Sequence, residues 1–148
     1  MVRRPRLECV TDFEYLTNYS LKTLSILNID SIINYIKSDY SKAYLITDIH
    51  GNILNANNKW CTMCGYNIND LIGKNCNILS GEETDKNIIK KFNEELKNNG
   101  KSKMNIINYN GNNEKINCTI KALELNNLNE LLLLSNNRYF ISEFKLNI

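Results

Sequence analysis

Gly73-Lys74-Asn75-Cys76-Asn77-Ile78-Leu79-Ser80-Gly81-Glu82-Glu83-Thr84-Asp85 is the stretch on which the reading of this chain turns. It opens at Gly73, which stops a short helical turn over 69–72, and it closes at Thr84 or Asp85, either of which can cap a helix with its side-chain oxygen. The helix that follows, over 86–98, is the clearest in the chain: Ile88, Ile89, Phe92 and Leu96 make one apolar face and Gly100 ends it. A thiol, Cys76, therefore sits in a short connecting turn just ahead of a long amphipathic helix.

Working outward, the upstream sequence holds a strand over 43–47, a turn at His50-Gly51-Asn52 and a return strand over 53–55. Trp60, Met63 and Cys64 then recur at helical spacing over 59–64, with Gly65 as the stop. Still earlier, Leu24, Leu27, Ile32, Ile33 and Ile36 predict one amphipathic helix over 21–36, capped by Asn18 or Ser20. Downstream, three strands are expected over 103–109, 114–125 and 130–135, joined by Asn- and Gly-rich turns at 110–113 and 126–129. Strands, short helices, one long helix and then a run of strands make an α+β domain. The organisation expected is a flanking helical segment over 1–38, the domain over 39–136 and a C-terminal extension over 137–148.

The chain has 148 residues, enough for one core. Its apolar content of 43% and charged content of 23% are those of an ordinary folded protein. A net charge of +2 with scattered lysines argues against a nucleic-acid binder, and Arg3-Arg4-Pro5-Arg6 reads as a solvated terminus. With no apolar run approaching the roughly 18 residues that span a bilayer, no signal-peptide core and no prenylation box, the expected location is cytoplasmic. The five cysteines (Cys9, Cys61, Cys64, Cys76, Cys118) are then expected as reduced thiols. Cys61 and Cys64 have the spacing of half a metal site, but two cysteines three apart on a core helix pack more often than they ligate, and no metal is expected. His50, the only histidine, lies in a turn without a partner that would make it a general base. No phosphate-binding Gly-rich loop or kinase signature is present, so the chain is not read as an enzyme.

The order of elements resembles that of the PAS family, and the stretch 73–85 resembles the signature Gly-x-Asn-Cys-Arg-Phe-Leu-Gln-Gly-Pro-Glu-Thr-Asp of its light-oxygen-voltage (LOV) branch. Ile46-Thr47-Asp48, the run from Asn57 to Gly65-Tyr66, and Ile107-Asn108-Tyr109 resemble it too. The resemblance implies a PAS fold: a five-stranded antiparallel sheet with short helices on one face and a flanking N-terminal helix. It also implies a sensor that binds flavin mononucleotide (FMN), with Cys76 as the cysteine that adds reversibly to the flavin ring in blue light. Such chemistry needs a sulfur already held against the ring, because the excited state is brief. Thr47, Asn75, Asn77, Leu79, Ser80, Asn108, Asn117 and, on the last strand, Ser135 are then the further candidate cofactor residues. Asn amides suit the alternating donors and acceptors of the ring edge.

The chain departs from that signature at four places. Asn77 stands where the family's phosphate-holding Arg is expected, with Lys74 or Lys86 as substitutes. Ile78 replaces Phe, Ser80 replaces a ribityl-binding Gln, and Glu82 replaces Pro. Ser135 takes the place of the family's signalling Gln. On the fourth strand, the parity that turns Asn117 inward carries Thr119 and Lys121 to the same face. Riboflavin in place of FMN, a cofactor-free interaction module, and a sensor of another small ligand or of an iron–sulfur cluster at Cys61 and Cys64 are the alternatives. The apolar stripe of the N-terminal helix, with the C-terminal set Tyr139, Phe140, Ile141, Phe144 and Leu146, points to a homodimer or a partner protein docked through these flanks.

Overall fold

A computed structural model describes residues 21–25, 28–125 and 138–147. Helix α1 (Leu21–Ser25) and helix α2 (Ile29–Ser38) precede strand β1 (Ala43–Asp48) and strand β2 (Ile53–Ala56). Three short elements follow, α3 (Asn58–Cys64), α4 (Ile68–Leu71) and a 3-10 turn (Cys76–Leu79), and then the long α5 (Lys86–Asn99). Strands β3 (Lys101–Tyr109), β4 (Lys115–Glu124) and β5 (Tyr139–Leu146) complete an antiparallel sheet of order β2-β1-β5-β4-β3.

Two expectations are corrected here. The helix predicted over 21–36 is two, because Asn28 starts a new one by accepting a bond from Ser31 N at 2.9 Å. The second correction matters more for the site. The strand expected over 130–135 lies outside the described residues, as do Ser135, Cys9, the basic start and the caps at Asn18 and Ser20. The strand that closes the sheet is Tyr139–Leu146, pairing with both β1 and β4. What was taken for a C-terminal extension is thus the middle strand of the fold. The run Leu131–Leu134 is the more apolar, but Tyr139–Leu146 alternates: Phe140, Ser142 and Phe144 point to the inner face, and Ile141, Glu143 and Lys145 to the outer.

Each face of the sheet has its own core. On the inner face Leu45, Ile53, Trp60, Leu71, Leu79, Phe92, Ile106, Ile120 and Phe144 pack beneath the short helices and α5. On the outer face α2 sets Ile32, Tyr35 and Ile36 against Tyr44, Ile46 and Ile141, with Leu24 of α1 in the same cluster. Both apolar sets that motivated a homodimer are therefore largely buried within one chain. The outer docking is fixed by polar groups at its base. Asp39 accepts bonds from Ser41 N and Oγ (2.8 and 2.7 Å), Tyr35 Oη (3.1 Å) and Tyr44 Oη (3.4 Å). Asn57 caps α3 by accepting from Trp60 N, accepts also from Tyr44 N, and donates to the carbonyls of Asp39 and Lys42. One amide thereby ties the helix–strand join, β1 and α3 together.

Candidate functional site

The stretch 73–85 wraps against the β1–β2 turn. Gly51 takes a φ of +84°, the left-handed region that a glycine enters freely, and its carbonyl accepts from Cys76 N at 2.9 Å. Asn75 caps the 3-10 turn by accepting from Asn77 N (3.0 Å), while its Nδ2 donates to His50 O (2.9 Å) and Asn52 Oδ1 (3.0 Å). Its amide is thus committed at both ends, so Asn75 positions Cys76 and has little left for a ligand. At the far end Gly81 lies against the Tyr109 ring, where a Cβ would collide with ring carbons. Thr84 Oγ1 donates to Ile107 O at 2.7 Å.

These contacts hold Cys76 at the wall of an inner cavity of about 110 Å³ between the sheet and the helices. Leu45, Leu79, Phe92, Met104, Ile120 and Phe144 supply much of its apolar surface. Three polar side chains face into it from three different strands: Thr47 (7% exposed) from β1, Asn108 (4%) from β3 and Ser142 (7%) from β5. None of the three side chains makes a hydrogen bond to a described residue, and their polar atoms stay accessible from the cavity. Burial pushes the Cys76 thiol up to about 12, with the Asp48 carboxylate adding to the effect. The sulfur accordingly stays protonated at neutral pH.

The cavity opens at Ile49, His50, Asn77, Ser80, Ile89 and Asn93 into a groove of about 1110 Å³ along α5. Lys86, Lys90, Lys97 and Arg138 line that groove, with Glu94 as the acidic member. Arg138 is occupied by Glu124, through two bonds of 2.8 Å, and by the carbonyls of Leu96 and Lys97. The three lysines make no ion pair among the described residues and are free to meet an anion.

The structure gathers Thr47, Asn75, Cys76, Asn77, Leu79, Ser80 and Asn108 around this one cavity. It removes Asn117. Asn108 pairs with Ile116, and Ile106 with Cys118, so Ile116, Cys118, Ile120 and Ala122 are the inward residues of β4. Asn117 is exposed on the outer face, its Oδ1 accepting from Asn147 Nδ2 at 3.2 Å. Thr119 and Lys121 share that outward face, which resolves the difficulty of a lysine beside the cavity. The inward place beside Asn117 belongs to Cys118, fully buried, its thiol pushed up to about 11 by burial. On β5 the cavity meets Phe140, Ser142 and Phe144, and the chain contains no glutamine at all. Lys74 is exposed and away from the groove, whereas Lys86 lines it, as does Lys90, which sequence reasoning missed. Among the described residues no three Cys, His, Asp or Glu side chains come close enough to hold a metal ion. No helix among them is long and apolar enough to cross a membrane.

The family model for the PAS domain matches residues 41–136, and the chain belongs to that family. The match stops short of β5. Among solved structures the chain is similar to the LOV domain of the EL346 blue-light activated histidine kinase from Erythrobacter litoralis. The two are 23% identical with a TM-score of 0.61, over 72% of this chain and 95% of that one. It is similar also to the light-state structure of the blue-light photoreceptor Aureochrome1 LOV (19% identity, TM-score 0.62, over 72% and 81%). A light-oxygen-voltage domain investigated with a flavin analogue gives 19% identity and a TM-score of 0.63 over 73% and 78%. These likenesses show a common fold. No curated protein is a significant match.

Proposed function

We propose that this PAS domain is a flavin-binding, non-enzymatic blue-light sensor that takes the ring of FMN in the inner cavity and its phosphate in the lysine-lined groove. The observation that carries this reading is the set of three buried, unbonded polar side chains, Thr47, Asn108 and Ser142, facing one cavity that also holds the Cys76 thiol. An apolar slot with a few convergent polar groups is the usual form of a small-molecule site. Two of the similar LOV domains come from a blue-light activated histidine kinase and a blue-light photoreceptor, a third was investigated with a flavin analogue, and the donors here suit a flavin. An amide and two hydroxyls meet the polar ring edge, a protonated thiol stands at the wall, and cations lie at the mouth. Bound flavin would supply the absorption of blue light; Asn108 would orient the ring, and Cys76 would hold its proton at Sγ, ready beside it. Lys86 and Lys90 would take over from the arginine that Asn77 replaces.

Reconstitution tests this. Protein refolded or titrated with FMN is expected to turn yellow and bind one equivalent. Lys90→Glu together with Lys86→Ala is expected to weaken FMN about tenfold or more and leave riboflavin unchanged, because only FMN carries the phosphate. Equal loss for both ligands would remove the lysines from the phosphate site.

A second reading, a cofactor-free interaction module, is favoured by one observation. The slot of about 110 Å³ is below the roughly 300 Å³ of ordinary ligand pockets and would house about three or four waters. Flavin entry then requires Phe140, Phe144 or Met104 to swing aside. Protein that stays colourless with excess FMN and riboflavin removes the flavin reading and leaves this second one standing.

A further inference from the structure

Strand β3 is an edge of the sheet, and part of that edge is open. Thr84 Oγ1 donates to Ile107 O, and Gly100 O accepts from Glu124 N on the side of β4. Since successive residues of a strand direct their backbone groups to opposite sides, Lys101, Lys103 and Asn105 point theirs away from β4. Among the described residues β3 pairs only with β4, so these N–H and C=O groups are unpaired.

Two further features flank the open edge. On the inner side a groove of about 410 Å³ lies between α5 and β3, its apolar floor made by Ile88, Phe92 and Met104. Ile88 was expected on the packed face of α5, yet it is 37% exposed at this groove. On the outer side the face is cationic. Lys103 stands directly opposite Lys121, Lys121 opposite Glu143, and Thr119 opposite Lys145, with Lys101 next along β3. Like charges placed directly opposite each other destabilise a sheet, and Glu143 is the sole acidic residue in these rows.

We infer that the β3 edge from Lys101 to Asn105 is a docking strip for an extended segment of a partner protein in which apolar and acidic residues alternate. Such a segment adds as a sixth strand. Its apolar side chains fall into the Ile88–Met104 groove, and its carboxylates lie beside Lys101 and Lys103, with Lys121 one strand further in. A second copy of this chain is a poor occupant, because pairing two β3 strands brings Lys101 and Lys103 of both copies onto one cationic face. The inference does not depend on the cavity and holds for protein with or without flavin.

The test is fluorescence anisotropy of a labelled ten-residue peptide of alternating Glu and Val, added to the full chain in the dark. Saturable binding is expected, weakened at least tenfold when salt is raised from about 0.05 M to about 0.3 M. The same peptide N-methylated on its edge-facing residues is expected to lose binding, as it cannot donate to β3. Lys101→Glu with Lys103→Glu is expected to reverse the preference towards a Lys–Val peptide while the circular dichroism spectrum stays unchanged. Three results would each overturn the inference: no binding of the Glu–Val peptide, equal binding of Glu–Val and Lys–Val peptides, or undiminished binding of the N-methylated form. The first would leave the lysines as guards against edge pairing.

Discussion

Trp60→Ala is expected to destabilise the domain by about 3–5 kcal/mol, the usual cost of emptying a large aromatic site in a core. The indole is fully buried and stands at the centre of the inner core. It stacks on Tyr66 at 6.4 Å between centroids and meets the edge of Phe144 at 5.6 Å. Phe144 also forms part of the cavity wall, so the loss reaches the site. Trp60 Nε1 is buried without a hydrogen-bond partner. A group of that kind costs about 1–3 kcal/mol, so Trp60→Phe, which keeps a ring and deletes the donor, is expected to cost less than half as much as the alanine. Urea denaturation of the three proteins decides it. Equal losses for Phe and Ala would mean that the indole's size, not its packing as a ring, is what matters.

Asp39→Asn is the second large effect, and it carries a pH signature. Burial on its own would push this carboxyl up, but the bonds from Ser41, Tyr35 and Lys42 outweigh it and hold Asp39 below the ordinary carboxylate value. A carboxyl lowered in the folded state stabilises the protein above its unfolded pKa of about 3.9, and that contribution disappears as pH falls through the folded value. Wild-type protein should therefore lose stability steeply below about pH 4. Asp39→Asn should be about 2 kcal/mol less stable at pH 7, since it gives up charge-assisted bonds, and should show a flatter acid limb. Parallel acid limbs in the two proteins would remove Asp39 as their source. Because Asp39 seats α2 on the sheet, the loss should appear first as exposure of the Tyr35 and Ile36 surface.

The part of this architecture that was legible in the sequence was the part written in local chemistry. Gly73 and Gly81 bracket the turn, Asp85 caps α5 through Asn87 N and Ile88 N, and Gly51 and Gly65 mark backbone that L side chains avoid. The cavity-wall residues from Thr47 to Ser80 came from the resemblance of 46–48 and 73–85 to the LOV signature, and the structure brings them to one cavity. The misplaced features depended on which distant strands pair. Leu131–Leu134 outweighs Tyr139–Leu146 in apolar content, and a strand covered on both faces is expected to read as a continuous apolar run. Tyr139–Leu146 instead interleaves Ser142, Glu143 and Lys145 with its aromatic residues, so composition pointed away from it. Ser142, an inward polar group, went unseen for that reason. Asn117 was one position out, because register is fixed by the turn at 110–114 and not by residue type. There Asn110 Oδ1 accepts from Asn112 N and Glu114 N, and Asn113 takes a φ of +62°. Lys121 was the sequence signal that placed the odd residues of β4 outside.

The most direct measurement is the absorption spectrum of the FMN-loaded protein before, during and after blue light. A band in the blue is expected, bleached on illumination and recovered in darkness, because the Cys76 thiol stands protonated beside the cavity that receives the ring. Cys76→Ala should load with FMN equally well and lose the reversible bleach, while Cys118→Ala, in the inner core outside the cavity lining, should keep it. A loaded protein whose spectrum does not change in light, or a bleach that survives Cys76→Ala, would contradict the assignment of Cys76 as the light-responsive thiol.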